Sequence, residues 1–392
     1  MDIVGRCVIM KHEAQVEQLR KIFGYLDAGE TAMGDAVYHH HVSDYTSPDQ
    51  AGREQEVLFR NEPLLIGLSC ELPNPGDYVT DDFSGVPILA VRDEAGQVNA
   101  FINVCRHRGA RVASGCGSGK AVFRCPYHAW TYDRSGRLRS IPFERGFESV
   151  DKTSNGLRSL PVVEKYGMIW VMPAPGGSID IDSHLAGMAD DLAAFGLVCY
   201  SHYETRVLRA RLNWKLVIDT FLETYHLSTL HKNTIAPILH SNLGTFDGMA
   251  RNLRMIGARK TIDALRQRPE SEWDLIRHSA LVYVLFPNTV FIMQGDHLET
   301  WRVYPGDSVD ESKMHVSLYT PEPAVTDKAR KYWTKNMDLL MATVQQEDFP
   351  LAENIQRDFH SGAQEFVTFG ANEPALAHFH RSIKKTLGID AA

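Results

Sequence analysis

The chain has 392 residues, 44% hydrophobic and 23% charged, which is enough for two or three domains with their own cores. Its formal net charge is -8 and no basic block occurs, which argues against a nucleic-acid partner and leaves a neutral or anionic small substrate open. The start, MDIVGRCVIMKHE, lacks the apolar core of a secretory signal, and no run reaches the ~18 apolar residues of a membrane span. These features predict a cytoplasmic protein without a membrane partner.

The first two regions of the chain differ in their hydrophobic pattern. Residues 1–45 predict a helical N-terminal segment that packs on the last domain, because apolar residues recur at helical spacing between Val16 and Leu26. Residues 46–175 change to short β-rich runs broken by turn residues, from EVLFR to YGMIWVMP. This second region predicts a small antiparallel β domain that ends near the linker PAPGG.

Two pairs of thiol and imidazole flank a Gly-rich loop inside this β domain: Cys105 with His107, and Cys125 with His128. Such a set can hold a tetrahedral zinc, or a two-iron cluster in which cysteines bind one iron and histidines bind the other. Zinc loops usually contribute two like ligands, whereas here each loop offers one of each kind. The spacing favours the cluster and leaves zinc as the alternative. Cys116, between the loops, is interpreted as an ordinary loop thiol.

The sequences around these pairs, CRHRGARV and CPYHAWTYD, resemble the Rieske motif C-x-H followed by C-x2-H. The resemblance implies that the four residues bind a Rieske [2Fe-2S] cluster. Because two neutral imidazoles replace two thiolates, electrons enter such a cluster at a higher potential than in an all-cysteine ferredoxin. The nearby GCGSGK fits neither the P-loop nor the dinucleotide pattern, so no nicotinamide site is expected in this chain.

Residues 176–392 predict an α+β domain built on a meandering antiparallel sheet. The strands are predicted in the runs ALVYVLF, TVFIMQG, ETWRVYP and MHVSLYT. Helices are predicted over 184–196, 213–231, 326–348, 350–360 and 373–387.

A second group of metal-binding side chains lies in NWKLVIDTFLETYHLSTLH. In a regular helix Asp219, Glu223 and His226 share one face, while His231 points away from it. A break after Tyr225 would bring both imidazoles to one metal. Two histidines and one carboxylate form the facial triad of non-haem ferrous oxygenases, which leaves sites open for oxygen and substrate.

The spacing D-x3-E-x2-H-x4-H, with the preceding NWK, resembles the catalytic α subunit of Rieske non-haem iron oxygenases. The resemblance implies mononuclear Fe(II) on His226 and His231, with Asp348 in QQEDFPLAENIQR as the third ligand. An acid before Phe-Pro is also a good helix N-cap, which is the alternative role for Asp348. Glu223 falls where many members carry an Asp between the two metals. Asp219 and Asn213 are further candidates for catalytic roles.

The fold implied by the resemblance is α+β, with a small antiparallel β Rieske domain and a larger catalytic domain of helix-grip, START-like type. The resemblance also implies O2 as co-substrate, an NAD(P)H-dependent reductase or ferredoxin as electron donor, and a head-to-tail homotrimer, with or without a β subunit. Glu223 would then hydrogen-bond His226 in its own chain and His128 of the next subunit.

The substrate is expected to be aromatic or otherwise hydrophobic, since ALVYVLFPNTVFIMQG offers an apolar wall with few charges. The expected reaction is mono- or cis-dihydroxylation in aromatic catabolism. O- or N-demethylation is the alternative within the family. An electron carrier without oxygenase activity, or a zinc-binding module, is the alternative of another class.

Overall fold

The computed structural model describes residues 10–389; the first nine residues, which begin the stretch used to argue against a secretory signal, and the last three lie outside them. The chain divides into two compact units. The smaller unit is Gln55–Ile181, and the larger one combines the residues before and after it. No helix within residues 10–389 is long and apolar enough to cross a membrane.

The N-terminal region of the larger unit is mainly helical. Its elements are helix α1 (His12–Ala28), strand β1 (Tyr38–His41), and helices α2 (Ser43–Thr46) and α3 (Pro48–Val57). Helix α1 ends at Gly29, whose φ of 67° is a left-handed conformation that glycine adopts without strain. The strand predicted at EVLFR is wrong, because α3 begins at Pro48 and its good helix formers carry the helix into that run.

The smaller unit is a set of short antiparallel sheets, as predicted. The strands are β2 (Leu64–Leu68), β3 (Tyr78–Asp81), β4 (Ile88–Arg92), β5 (Val98–Ile102), β6 (Cys116–Gly117), β7 (Val122–Arg124), β8 (Thr131–Asp133), β9 (Leu138–Ser140), β10 (Ser159–Leu160), β11 (Val162–Lys165) and β12 (Met168–Val171). Five of them pair in the order β10-β5-β4-β3-β6, and two three-stranded sheets have the orders β11-β12-β2 and β7-β8-β9.

The rest of the larger unit is a seven-stranded antiparallel sheet with helices, and its strand order is β13-β19-β18-β17-β16-β15-β14. The four strand runs predicted from the sequence all lie in this sheet. Its strands are β13 (Ser201–Ala210), β14 (Leu239–Met249), β15 (Asn252–Arg259), β16 (Ser279–Leu285), β17 (Thr289–Met293), β18 (Leu298–Pro305) and β19 (Ser312–Thr320); β20 (Phe366–Phe369) pairs with β1. The helices are α4 (Ile181–His184), α5 (Ala189–Ala194), α6 (Trp214–Asp219), α7 (Leu227–Leu230), α8 (Asp327–Thr343), α9 (Phe349–Phe359) and α10 (Pro374–Thr386).

Several predicted helices are interrupted in the structure. The helix predicted over 184–196 is two short helices, α4 and α5, separated at Gly187 with its φ of 83°. The helix predicted over 213–231 ends at Asp219 and resumes only at α7. Helices α8 and α9 are joined by one wide π turn, Val344–Asp348. The last two interruptions place the residues of the candidate metal site.

A buried ion pair joins α3 to α6. Lys215 Nζ lies 2.6 and 2.8 Å from the two carboxylate oxygens of Glu54, and both side chains are 1% exposed. Lys215→Met would leave a buried carboxylate without its cation, so we expect the free energy of unfolding to fall by about 3–5 kcal/mol in chemical denaturation. Lys21→Met breaks an exposed pair with Glu17 and should cause no measurable change. Equal stability of both variants would contradict this expectation.

Candidate active site

The two cysteine loops of the smaller unit have the same backbone geometry. The Cys105 N–H donates to Ala110 C=O at 2.8 Å, and the Cys105 C=O accepts from Gly109 N–H at 3.0 Å. The Cys125 loop repeats both bonds at the same distances. The fourth residue after each cysteine has a positive φ, 81° at Gly109 and 60° at Ala129. Each loop is therefore a tight turn that presents one thiol and one imidazole.

The four predicted cluster ligands lie together, and the two histidines lack hydrogen-bond partners at the atoms that would bind metal. The rings of His107 and His128 are 4.6 Å apart, and the Nδ1 atoms of both are buried without a hydrogen-bond partner. Cys105 and Cys125 are buried, and burial raises the pKa of the Cys105 thiol. Buried thiolates need nearby positive charge, so this donor set fits a two-iron cluster.

Aromatic side chains contact the cysteine loops. The Trp130 ring stacks on His107 with centroids 4.9 Å apart and an interplanar angle of 5°. The Tyr132 hydroxyl lies 3.3 Å from Cys105 Sγ and accepts the Arg106 N–H at 3.0 Å. Hydrogen bonds to a cluster sulfur tune the reduction potential. Tyr132 is thus a positioning residue that the sequence did not single out.

The predicted iron ligands converge in the larger unit. His226 and His231 lie at the two ends of α7, and their Nε2 atoms are 3.1 Å apart. Asp348 Oδ1 lies 3.1 Å from His231 Nε2 and 3.7 Å from His226 Nε2. One ligand atom from each residue lies within 4.8 Å of the other two. The break in the helix brings the two imidazoles together, and Asp348 from the turn between α8 and α9 adds a carboxylate, which completes the donor set of a facial triad.

Carboxylates orient both imidazoles through their other nitrogen. Glu223 Oε1 contacts His226 Nδ1, and Glu347 Oε2 lies 2.6 Å from His231 Nδ1. Burial alone would lower the pKa of His231, but its hydrogen bonds to Asp348 and Glu347 outweigh burial and raise it. Such carboxylates fix the tautomer and direct Nε2 to the metal. No role is predicted for Glu347 from the sequence, and its position next to Asp348 is the only signal that pointed to it.

The π turn places Asp348 and Glu347 against the same histidine. A π turn is a rare wide turn that often occurs at functional sites. Asp348 precedes α9, but its side chain makes no capping hydrogen bond there, so the alternative role as an N-cap is not observed. Its carboxylate is 8% exposed and lies beside both imidazoles instead.

Asp219 and Asn213 lie outside the group of three ligands. Asp219 accepts a 2.5 Å hydrogen bond from the Tyr45 hydroxyl and lies 2.9 Å from His380 Nε2. Because α6 ends at Asp219, the predicted helical face shared with Glu223 and His226 does not exist. Asn213 is the N-cap of α6, and its side-chain Oδ1 accepts from Lys215 N–H at 3.0 Å. The structure therefore gives Asn213 a capping role.

An open groove of about 600 Å³ passes Glu223, His226 and Asp348, and we call it the outer groove. Apolar Leu351 and Ile355 on its wall are 49% and 37% exposed. No lysine or arginine is found among its lining residues in the described part of the chain. The lining carboxylates are Asp219, Glu223, Asp348, Asp358 and Glu373.

Two protein families match the two units. Residues 62–161 match the Rieske [2Fe-2S] domain, and residues 198–388 match the ring hydroxylating alpha subunit (catalytic domain). The chain belongs to the Rieske non-haem iron oxygenases, as a catalytic alpha subunit. These domains imply a Rieske cluster, a mononuclear iron and O2, which decides against zinc in the cysteine loops.

The relatives include oxygenases of quaternary ammonium compounds. The chain is 33% identical over 195 residues to the glycine betaine monooxygenase oxygenase subunit of Chromohalobacter salexigens, covering 50% of this chain and 43% of that protein. It is 27% identical over 354 residues to chloroplastic choline monooxygenase of Spinacia oleracea, covering 88% and 77%. The chain spans about half the length of the first curated relatives it matches.

The solved structures support the fold. A structure of the quaternary ammonium Rieske monooxygenase CntA with L-carnitine has a TM-score of 0.77 and 22% sequence identity. The match covers 90% of this chain and 96% of that chain. The small antiparallel β domain and the larger sheet with helices are therefore the arrangement of Rieske oxygenase alpha subunits, as the sequence predicted.

Proposed function

We propose that the chain is the terminal oxygenase of a Rieske monooxygenase system. Cys105, His107, Cys125 and His128 would hold the cluster, and the His226, His231 and Asp348 group would hold the iron. The observation that carries this proposal is the convergence of both donor sets in one chain. When bound, the cluster supplies single electrons and the iron supplies oxygen activation.

Carboxylate side chains orient the two histidine ligands of the proposed iron site. Glu223 and Glu347 accept from the Nδ1–H groups of His226 and His231, so each Nε2 lone pair points to one place. Thr234 Oγ1 donates to Glu347 at 2.6 Å and holds that carboxylate in turn. Removing these carboxylates would free the rings to rotate.

The substrate class we infer is a small quaternary ammonium compound. Relatives at 33% identity are named for glycine betaine and carnitine, and one at 27% is named for choline. These names favour the N-demethylating or other oxidising alternative over the aromatic hydroxylation expected from the apolar strands. They also favour a cationic group over the neutral or anionic substrate that the net charge left open. An anthranilate dioxygenase at 29% identity makes aromatic acids the second class to test.

The reaction would insert one atom of O2 into a C–H bond of the substrate and release the other atom as water. Two electrons and two protons complete the balance. If the carbon is an N-methyl group, the hydroxymethyl product loses formaldehyde by C–N cleavage and leaves a tertiary amine. Hydroxylation at another carbon would give an alcohol, or an aldehyde hydrate where that carbon already carries a hydroxyl group.

A substrate panel tests this function directly. The iron-loaded protein, a compatible reductase and NADH would be supplied with 18O-labelled dioxygen and either quaternary ammonium compounds or aromatic acids. We expect substrate-dependent NADH use and one labelled oxygen in the product of a quaternary ammonium compound. Products from the aromatic acids alone would overturn the proposed substrate class.

The partners we propose are an NAD(P)H-dependent reductase or ferredoxin and two further copies of this chain. No flavin or nicotinamide fingerprint occurs in the sequence, so reducing equivalents must come from another protein.

The outer groove has exposed apolar side chains on the wall that it shares with Glu223, and the cysteine loops of a second copy of the chain would cover this groove. Glu223 would then contact His128 of that second copy. Sedimentation of the loaded protein should give three chains per particle.

A further inference from the structure

Four titratable side chains are buried behind the wall of the outer groove, and we call them the buried histidine group. The group consists of Tyr45, Asp219, His380 and His40, and each of these residues is at most 8% exposed. Tyr45 and Asp219 line the groove, whereas the two histidines do not. All four residues belong to the larger unit. The group therefore extends from the groove wall into the interior of that unit.

At the groove wall the group is fully hydrogen-bonded. Asp219 Oδ2 accepts from the Tyr45 hydroxyl at 2.5 Å, and Asp219 Oδ1 lies 2.9 Å from His380 Nε2. A carboxylate can only accept, so His380 Nε2 carries the hydrogen and His380 Nδ1 carries a lone pair. This Nδ1 is buried without a hydrogen-bond partner among residues 10–389. It is therefore free to take up a proton.

At its inner end the group reaches a second charged position. The His40 and His380 rings have centroids 3.9 Å apart, and both nitrogens of His40 also lack a hydrogen-bond partner in the described part of the chain. Asp44 Oδ2 lies 3.5 Å from His40 Nε2 and 3.1 Å from Lys384 Nζ. The side chains of Asp44 and Lys384 are 15% and 17% exposed, and neither residue lines the outer groove. The group thus connects the groove wall with solvent elsewhere on the surface.

Packing alone does not explain the histidine at position 40. The Phe369 ring lies nearly parallel to the rings of His40 and His380, with interplanar angles of 19° and 17°. A phenylalanine at position 40 would fit such an aromatic layer without burying two unpaired nitrogens, which are costly in an interior. Unsatisfied buried groups of this kind in a native protein call for a functional explanation. Proton transfer is a function that imidazoles perform.

The surroundings of His40 make it a carrier of protons and not a store. Burial lowers the pKa of His40, and neighbouring groups lower it further, namely His380, Lys384, Lys215 and His41. A neutral imidazole can accept a proton at one nitrogen while it releases one from the other. Because the two rings are stacked, transfer between them requires the His40 ring to turn about its Cβ–Cγ bond, a torsion with a broad energy profile.

The proposed reaction needs a route for protons to the outer groove. It consumes two protons with two electrons, and a second copy that covers the groove would keep bulk water from supplying them directly. Glu373 also lines the groove, and burial raises its pKa, with the charges of Glu223 and Asp219 adding to this effect. A proton that arrives at Asp219 therefore has an acceptor nearby, close to the carboxylate at which electrons are proposed to enter.

We propose that His40 and His380 relay protons from solvent to Asp219 at the wall of the outer groove. This inference rests on the proposed function and assigns the path of its two protons. Each proton would pass from water at Asp44 to His40 and then to His380 Nδ1, while His380 Nε2 releases its own proton to Asp219. One N–H or O–H bond breaks as another forms, and the reductase supplies the electrons. The next proton returns each group to its starting state.

The test uses His380→Gln, because glutamine can still donate to Asp219 but cannot pass on a proton. The iron-loaded, pre-reduced protein would be mixed with O2 and the compound oxidised in the substrate panel, in H2O and in D2O. Stopped flow would follow cluster oxidation, and a pH indicator in weak buffer would follow proton uptake. We expect His380→Gln to slow both at least tenfold and to raise the solvent isotope effect on cluster oxidation.

His378→Gln is the matched control. His378 is a histidine of the same helix, α10, but its Nε2 lies 2.9 Å from the Asn252 C=O and it is not part of the buried histidine group. This variant should keep the wild-type rates and isotope effect. A second pair of variants tests proton transfer itself: added imidazole should speed His380→Ala in proportion to its concentration and should not change His378→Ala.

The outcomes separate this inference from the proposed function. Wild-type rates in His380→Gln with full iron content would overturn the relay and leave the proposed function standing. A slow His380→Gln with an unchanged isotope effect, together with no rescue of His380→Ala by imidazole, would show a purely structural role and also overturn the relay. Wild-type protein that oxidises no compound of the panel would overturn both. Iron content and the cluster spectrum of each variant check that the metal sites are intact.

Discussion

Replacing Asp348 by alanine should remove the mononuclear iron while leaving the [2Fe-2S] cluster in place. Asp348 supplies the only carboxylate of the three-residue ligand group, with Oδ1 at 3.1 Å from His231 Nε2. Loss of residues that merely orient ligands typically costs about 10–100-fold in metal affinity or activity, so loss of a ligand should cost more than about 100-fold. We expect iron to fall from three to two atoms per chain, as measured by metal analysis, with an unchanged paramagnetic resonance signal of the reduced cluster.

Asp358→Ala is the matched control for this experiment. Asp358 also lines the outer groove, but its side chain is largely exposed and lies outside the ligand group. This variant should keep three irons per chain and its activity. If the wild-type protein itself holds only two irons per chain, that result would support the electron-carrier alternative and overturn the oxygenase proposal.

Glu223→Gln should separate metal binding from electron delivery. The amide is nearly the same size, so both metals should remain bound, but it lacks the charge that Glu223 places against His226 Nδ1. If Glu223 also joins the cluster of a second copy, product formation should fall by about 10–100-fold. Stopped-flow oxidation of the pre-reduced cluster in the presence of substrate and O2 should slow by the same factor.

Glu347→Gln controls for simple disturbance of a histidine. Glu347 holds His231 as Glu223 holds His226, yet it does not line the outer groove. It should affect iron binding no more than Glu223→Gln does, and it should not slow cluster oxidation. Unchanged turnover of Glu223→Gln would remove the electron bridge from the proposal.

The cluster ligands and the two iron histidines could be recognised from the sequence because their spacing is local. A thiol and an imidazole within three residues define each loop, and the loop backbone bonds involve only neighbouring residues. The helix break was expected after Tyr225, but it already begins after Asp219. A break depends on what the flanking residues contact, and Asp219 binds Tyr45 and His380, 174 and 161 residues away in the chain.

The residues that sequence reasoning missed act through distant contacts. Glu347 contacts His231, which lies 116 residues earlier in the chain, and the sequence motif indicated only its neighbour Asp348 as a ligand. The apolar pattern correctly predicted the sheet but could not show that charged side chains such as Arg254, Glu299 and Arg302 are buried in it.

The wide turn between α8 and α9 has a consequence for insertions and deletions in this chain. A π turn holds one more residue than an α turn, and each residue of an α-helix advances the side-chain direction by about 100°. Because the π turn holds one extra residue for the same full turn, deleting Gln345 or Gln346 would let the backbone return to an ordinary helix with Asp348 in nearly its present direction. A deletion elsewhere in α8 has no extra residue to absorb it and would rotate Asp348 by about 100° away from His226 and His231. The wide turn is therefore the place in this pair of helices where a difference in length between related chains would leave the metal ligand in position.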